Sequence, residues 1–202
     1  NGSAGSGNTV ITIESGSFTS YATAVYHPQY GKMVINGGTF ESEAGAGLVL
    51  CAGELTVNGG SFITHATGPI TAGDSGHEIM PSAIVVDDSI GYPGATKGLK
   101  ATIEGGSFTS VAGVPAVIVY ADEGDDGEYA EINDGTFSSD VSDYCADGFT
   151  TIPNPDGTYG ITESVTVTFD IPGGDDVLVE IPKGTAVPSS EIPTASAGYS
   201  YT

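Results

Sequence analysis

One ten-residue phrase occurs five times along this chain, and no other feature limits its fold so sharply. It reads Ile11-Thr-Ile-Glu-Ser-Gly-Ser-Phe-Thr-Ser20, Met33-Val-Ile-Asn-Gly-Gly-Thr-Phe-Glu-Ser42, Leu55-Thr-Val-Asn-Gly-Gly-Ser-Phe-Ile-Thr64, Ala101-Thr-Ile-Glu-Gly-Gly-Ser-Phe-Thr-Ser110 and Ala130-Glu-Ile-Asn-Asp-Gly-Thr-Phe-Ser-Ser139. Alternation within each copy puts Ile13, Ile35, Val57, Ile103 and Ile132 on the same side as Phe18, Phe40, Phe62, Phe108 and Phe137. A second phrase, a short β-branched or aliphatic run, follows every one of these Phe residues but the last: Ala24-Val-Tyr-His27, Leu48-Val-Leu-Cys51, Ile84-Val-Val-Asp87 and Val117-Ile-Val-Tyr120. One such unit cannot bury its apolar edge alone. Stacking units about 4.8 Å apart pairs each strand with the rung above and below, and turns single Ile and Phe residues into continuous internal ladders. The expected fold is all-β, a parallel β-helix of about five rungs with Gly at the bends.

The Phe residues of the repeat stand 22, 22, 46 and 29 residues apart. The longest gap holds a single second-phrase run, so it reads as one rung carrying insertions in 65–82 and 88–99 rather than as two rungs. The gap of 29 holds one insertion, at 121–129. After Phe137 the pattern changes. A helical turn over 141–146 and a hairpin turning at Pro155-Asp156-Gly157 suit a cap, which a stacked solenoid needs at an exposed end. Alternating runs resume at Val165-Thr-Val-Thr-Phe169 and Val177-Leu-Val-Glu-Ile181. The chain therefore divides into a flexible leader (1–9), the β-helix (10–138), its C-terminal cap (139–162) and a small β-rich module (163–202).

The repeated Ile-x-Gly-Gly-Ser/Thr-Phe phrase is closed by Ser139-Asp-Val-Ser-Asp-Tyr144 and by the Asn154-Pro-Asp-Gly-Thr-Tyr159 hairpin. Over about residues 10–162 this resembles the right-handed, single-stranded parallel β-helix regions of large secreted or wall-attached proteins of Gram-positive gut bacteria, with Cys145 where that resemblance leads one to expect an aliphatic residue. Residues 165–202, with Gly173-Gly174, Ile181-Pro-Lys-Gly184 and Gly198-Tyr-Ser-Tyr201, look like the opening of an internalin-type β-grasp repeat, without the Gly-Trp into which such repeats continue. The resemblance implies an incomplete β-grasp repeat, a fragment of a longer modular protein that is secreted or held at the cell surface, and no catalytic residue.

Charge narrows the function. The 202 residues include 26 Asp and Glu, four Lys and no Arg, for a formal net charge of −22. Such a surface repels the phosphates of nucleic acids and anionic membranes alike. The apolar runs fall far short of the roughly 20 residues that span a bilayer. Polysaccharide lyases built on parallel β-helices rely on a basic Arg or Lys and on cations that hold substrate carboxylates, which this composition hardly supplies. Hydrolases need two carboxylates at a set separation. Asp87-Asp88, at a strand end, is the candidate pair, but the Gly-His-Gly and Arg-Ile-Lys phrases of pectin hydrolases are absent and neighbouring strand residues face opposite ways. The plainer expectation for the pair is a solvated strand terminus. His27, His65 and His77 show no metal-ligand spacing and are expected at the surface or in loops; Cys51 and Cys145 are expected to fill apolar positions as small hydrophobes.

Aligning the second phrases end to end puts Val25, Val49, Val85 and Ile118 in an outward apolar column, with His27, Cys51, Asp87 and Tyr120 in the next. That stripe is either covered by the inserted loops or offered to a partner. Asp87, Asp88, Tyr92, Tyr120, Asp122 and Tyr129 are the candidate ligand-binding residues, since tyrosine faces suit sugar rings. Asp122, Glu123, Asp125, Asp126 and Glu128 offer hard oxygen ligands suited to Ca²⁺ on a Gly-rich loop, although their spacing matches neither an EF-hand nor the nonapeptide calcium repeat. The reading is a non-catalytic extracellular module, an adhesin or stalk segment. Its expected partner is a polysaccharide or glycoprotein, it needs no cofactor, the acidic loop being either solvated or a Ca²⁺ site, and it is monomeric. The alternatives are a polysaccharide-active β-helix enzyme and a phage virion fibre.

Overall fold

A computed structural model describes residues 9–28, 30–72, 77–88, 99–120, 129–171 and 173–194. It is a parallel β-helix closed by an antiparallel piece. The first rung is β1 (Val10–Ile13), β2 (Ser17–Ser20) and β3 (Val25–His27), and the second is β4 (Lys32–Ile35), β5 (Thr39–Ser42) and β6 (Leu48–Leu50). The third begins with β7 (Glu54–Val57) and β8 (Ser61–Thr64), pauses for the antiparallel hairpin β9 (Ile70–Ala72) and β10 (His77–Ile79), and ends with β11 (Ile84–Asp87). The fourth is β12 (Lys100–Ile103), β13 (Ser107–Thr109) and β14 (Val117–Tyr120), and a partial fifth is β15 (Ala130–Ile132) and β16 (Thr136–Phe137). Corresponding strands stack into three parallel sheets, β1-β4-β7-β12-β15, β2-β5-β8-β13-β16 and β3-β6-β11-β14. The 46-residue gap is thus one rung, because Phe62 pairs directly with Phe108 across β8 and β13.

The register places the repeat's apolar residues in internal columns. Ile13, Ile35, Val57, Ile103 and Ile132 stack through the first sheet. The five Phe rings stack through the second, with centroids 4.9, 4.7, 5.2 and 4.8 Å apart and planes within 11° of parallel. Phe40, Phe62, Phe108 and Phe137 are completely buried. Face-to-face rings a rung apart come from the strand spacing, which fixes their separation whatever the rings prefer. The glycine before each Ser/Thr-Phe has a backbone reason. Gly38 has φ +116°, and a Cβ there would stand 2.9 Å from the Gly16 carbonyl of the rung below.

In the second to fifth copies the Ser or Thr two residues past the Phe holds the corners that lead to the third sheet. Ser42 Oγ donates to Ala22 O and accepts from Gly45 N at 2.8 Å, while Thr64 Oγ1 donates to Gly45 O at 2.6 Å and accepts from Ala66 N at 3.1 Å. Ser110 Oγ accepts from Ala83 N, and Ser139 Oγ from Ala116 N. These buried hydroxyls answer loop groups that would otherwise lose their hydrogen bonds.

The first rung's third strand departs from the expected alignment by one residue. Val25 pairs with Leu48, Tyr26 with Val49 and His27 with Leu50. The outward apolar column is therefore Tyr26, Val49, Val85 and Ile118, and His27 leaves the column of Cys51, Asp87 and Tyr120 for the inward one with Leu50 and Val86. Its cause is a single additional residue in the turn of the second rung, where the offset between rungs grows from 22 at Ser20 and Ser42 to 23 at Val25 and Leu48. A one-residue slip exchanges inside for outside along a strand. The outward column is covered: Ala46, Val49, Cys51 and Val85 are buried in a cluster flanked by Tyr26, Ile70 of the hairpin, Ile118 and Tyr120.

The C-terminal end is capped as the sequence suggests. A 3₁₀ turn at Ser142–Tyr144 leads into β17 (Phe149–Pro153) and β18 (Tyr159–Phe169), joined around Pro155-Asp156-Gly157. Val141 is buried, and Tyr144, Tyr159 and Ile161 pack against the end of the core. Burial would raise the Asp140 carboxyl, but hydrogen bonds from Thr151 Oγ1 and from the backbone and side chain of Ser142 hold it below its usual range. β18 runs unbroken through residues 162 and 163 and then pairs antiparallel with β19 (Val177–Pro182), so cap and terminal ribbon share a strand.

Candidate functional site

The third sheet carries Asp87 and Asp88 at the end of β11. Ile84 and Val86 of this strand enter the core cluster, whereas Val85 joins the outer one. Asp87 pairs in register with Tyr120 on the neighbouring rung, and Asp88 N donates to Tyr120 O at 2.9 Å. The phenol of Tyr120 accepts from Met80 N at 2.7 Å, fixing the segment that follows the hairpin onto the sheet. Tyr129, at the start of the next rung, donates its hydroxyl to Asp88 Oδ2 at 3.0 Å.

Asp87 is fully buried and Asp88 only 3% exposed, which corrects the expectation of a solvated strand terminus. Tyr129, at 8%, lies in the core cluster instead of turning a ring face outward. Burial, with the Asp87 charge adding to it, pushes the Cys51 thiol up to about 12. A thiol so shifted stays protonated and is no nucleophile at neutral pH. The described structure thus brings Asp87, Asp88, Tyr120 and Tyr129 together on adjoining rungs, joined to one another by hydrogen bonds and register. Tyr92, Asp122, Glu123, Asp125, Asp126 and Glu128 lie outside the described residues. Among the described residues no group of three or more His, Cys, Asp or Glu side chains is placed to hold a metal ion.

A concavity of about 360 Å³ lies where the last rung meets the cap. Glu131, Asn133, Asp143, Tyr144, Cys145 and Phe149 line it. The Lys100 ammonium, bonded to Glu131 at 2.5 Å, keeps that carboxyl below its usual range by hydrogen bond and charge. Burial, reinforced by nearby acids, pushes the Cys145 thiol up to about 11.

Other features become visible only through the 22-residue register. Lys32, Glu54 and Lys100 stand in one register column on the outer face of the first sheet, with Lys32 bonded to Glu54 at 2.6 Å, while Lys100 reaches diagonally to Glu131, the register partner of Thr102. These pairs are substantially exposed and add little stability. Beside them Asn58 donates to Asn36 at 2.7 Å and Asn36 to Glu14 at 2.8 Å. Of the histidines, His65 is exposed and 2.7 Å from Glu41, while His77 opens β10.

His27 corrects the expectation of a surface histidine. It is 1% exposed, and burial lowers its pKa from the ordinary 6.5, offset only in part by the Gly31 backbone. The folded chain therefore favours the neutral ring. Its stabilising contribution is complete above about pH 6.5 and is lost as pH falls from there towards the depressed folded value, because the unfolded chain takes up the proton first. The urea midpoint is expected to drop on acidification through this window, and by less in His27→Leu. An equal drop in the variant would remove His27 as the cause.

Fold and site define a parallel β-solenoid whose candidate carboxylates are built into its wall. Comparison with protein-family models, with curated proteins and with solved structures finds no match to this chain.

Proposed function

We propose that this chain is a non-catalytic structural module, a stalk or adhesin segment of an extracellular surface protein. The observation that carries this reading is the burial of Asp87 and Asp88. A glycosidase needs its acid and its base or nucleophile open to a sugar, whereas Asp88 here is bonded to Tyr129 and both carboxylates are sealed. Stacked rungs with an acidic, nearly Lys-free surface suit a soluble rod that holds other modules apart. The likeness of residues 10–162 to β-helices of Gram-positive surface proteins, and of the β18–β19 ribbon to the start of a β-grasp repeat, supports the same placement.

The test is incubation with pectins and related acidic glycans, together with a glycan and glycoprotein array. No release of reducing ends or unsaturated products is expected. Release that disappears in Asp87→Asn would overturn the non-catalytic reading. Array binding, if found, should weaken in Tyr92→Ala or Asp122→Asn, and its absence across a broad array would leave the stalk role alone. Tyr120→Ala and Tyr129→Ala are expected to act through stability, since both phenols anchor structure.

A further inference from the structure

We propose that Asn58 is a self-modification site, which loses its side-chain amide as ammonia to attack by the Gly59 backbone nitrogen, and that the column of side-chain amides shields Asn36 until Asn58 has reacted. Two copies of the repeat carry Asn-Gly at the bend between the first and second sheets, Asn36-Gly37 and Asn58-Gly59. Asparagine is a thermolabile residue, and a following glycine offers its nitrogen with no side chain in the way. Both asparagines are exposed, so water reaches them. Among the described residues neither Gly37 N nor Gly59 N donates a hydrogen bond, so the fold does not hold back either nucleophile.

The step balances with water as the only co-reactant. A bond forms between Gly59 N and Asn58 Cγ as the Cγ–Nδ2 bond breaks, and the glycine proton leaves with the amide as ammonia. Water then opens one of the two C–N bonds of the cyclic imide, giving aspartate or the isomer whose main chain runs through Cβ and Cγ. Nothing is oxidised or reduced. The two bends are alike, since a Cβ would stand 3.2 Å from Glu14 O at Gly37 and 3.2 Å from Asn36 O at Gly59. What separates the sites is the amide column. Asn36 is tied twice, donating to Glu14 Oε2 at 2.8 Å and accepting from Asn58 Nδ2 at 2.7 Å. Asn58 is tied once, through that same nitrogen. The register places Glu104 next in the column, and a carboxylate, here accepting from Asn133, has no proton to give the Asn58 oxygen.

Conversion at position 58 changes position 36. Asn36 then stands between two acceptors, Glu14 and the new carboxylate, and its NH₂ group can face only one of them. It is left with one bond in the column, as Asn58 was at the start. The isomer also adds a main-chain atom at a bend packed on the rung below, where a Cβ at Gly60 would stand 3.1 Å from Gly38 O. Each rung is held by its neighbours alone, so this damage falls on the junction of the second and third rungs.

The test incubates the folded protein at mildly alkaline pH in water enriched in heavy oxygen, then maps peptides by mass spectrometry with the two isomers separated. Asn58 should gain about 3 Da, heavy oxygen included, and should do so about two- to tenfold faster than Asn36, the worth of one hydrogen bond. In Asn58→Asp, a carboxylate of the kind the column already accepts at Glu14 and Glu104, conversion of Asn36 should accelerate by the same factor. Gly59→Ser should lose most of the conversion at Asn58 and leave Asn36 slow. The fold takes a side chain at that position, since Ser15 and Asp134 occupy it in the first and fifth copies. In the urea-unfolded chain the column is gone, and both sites should convert at similar rates. Conversion of Asn36 ahead of Asn58 in the folded chain, an unaccelerated Asn36 in Asn58→Asp, or a folded chain inert at both sites while the unfolded one converts would each overturn the proposal.

Discussion

Phe62→Ala is expected to destabilise the chain by about 3–5 kcal/mol, among the largest effects any single side chain here can produce. The ring is fully buried, with Phe40 at 4.7 Å on one side and Phe108 at 5.2 Å on the other, so its removal leaves a void bounded by two flat faces that cannot close. Neighbouring rungs are held at strand spacing by their hydrogen bonds, and collapse around the gap would break register on every sheet. Phe18→Ala is the internal comparison. That ring is partly exposed and has one stacking partner, Phe40, so its loss should cost about half as much. Urea unfolding of both variants checks the ordering. Equal costs at the two positions would show that neither burial nor the second stacking partner sets the energetics of this column.

Gly45→Ala is expected to cost about 3 kcal/mol, the upper end of overpacking penalties, and to lower Tm by about 6–12 °C for a domain of this size. A Cβ at Gly45 would lie 2.5 Å from Thr23 N and 2.6 Å from Ala22 C, both backbone atoms of the rung below. Neither side can yield. Ser42 Oγ holds Gly45 N while Thr64 Oγ1 holds Gly45 O, so the turn is fixed between two rungs. Gly68→Ala, where a Cβ meets nothing within 4 Å, should change stability by less than about 0.5 kcal/mol. Similar thermal melts for the two variants would mean that the corner relaxes and that its hydroxyl bonds are dispensable.

The β-helix was legible because its information is local and repeated. The phrase around Phe40 states a strand period, a bend and an inward aromatic in ten residues, and five copies state how the units stack. The register of the third sheet was less legible. Ala24-Val-Tyr-His27 and Leu48-Val-Leu-Cys51 align without a gap by apolar content, yet one turn residue shifts them and sends His27 inward. Nothing in a four-residue run reports the length of the turn that precedes it. The site was legible as a set of neighbours, with Asp87 beside Tyr120 in register, but its burial was not. Asp88 is held by Tyr129 one rung away, and Met80, in an insertion, fixes Tyr120 beside Asp87; neither partner carries the repeat's pattern.

The register has a consequence for length as a heritable quantity. Ile13, Ile35 and Val57 occupy one column and Phe18, Phe40 and Phe62 another, so the faces that the first and third rungs turn towards the second are interchangeable. Loss or duplication of a 22-residue segment such as 32–53 brings together rungs whose ladders already match. A gene of this kind can lengthen or shorten its rod by whole steps of about 4.8 Å, with the cap and the insertions carried along unchanged.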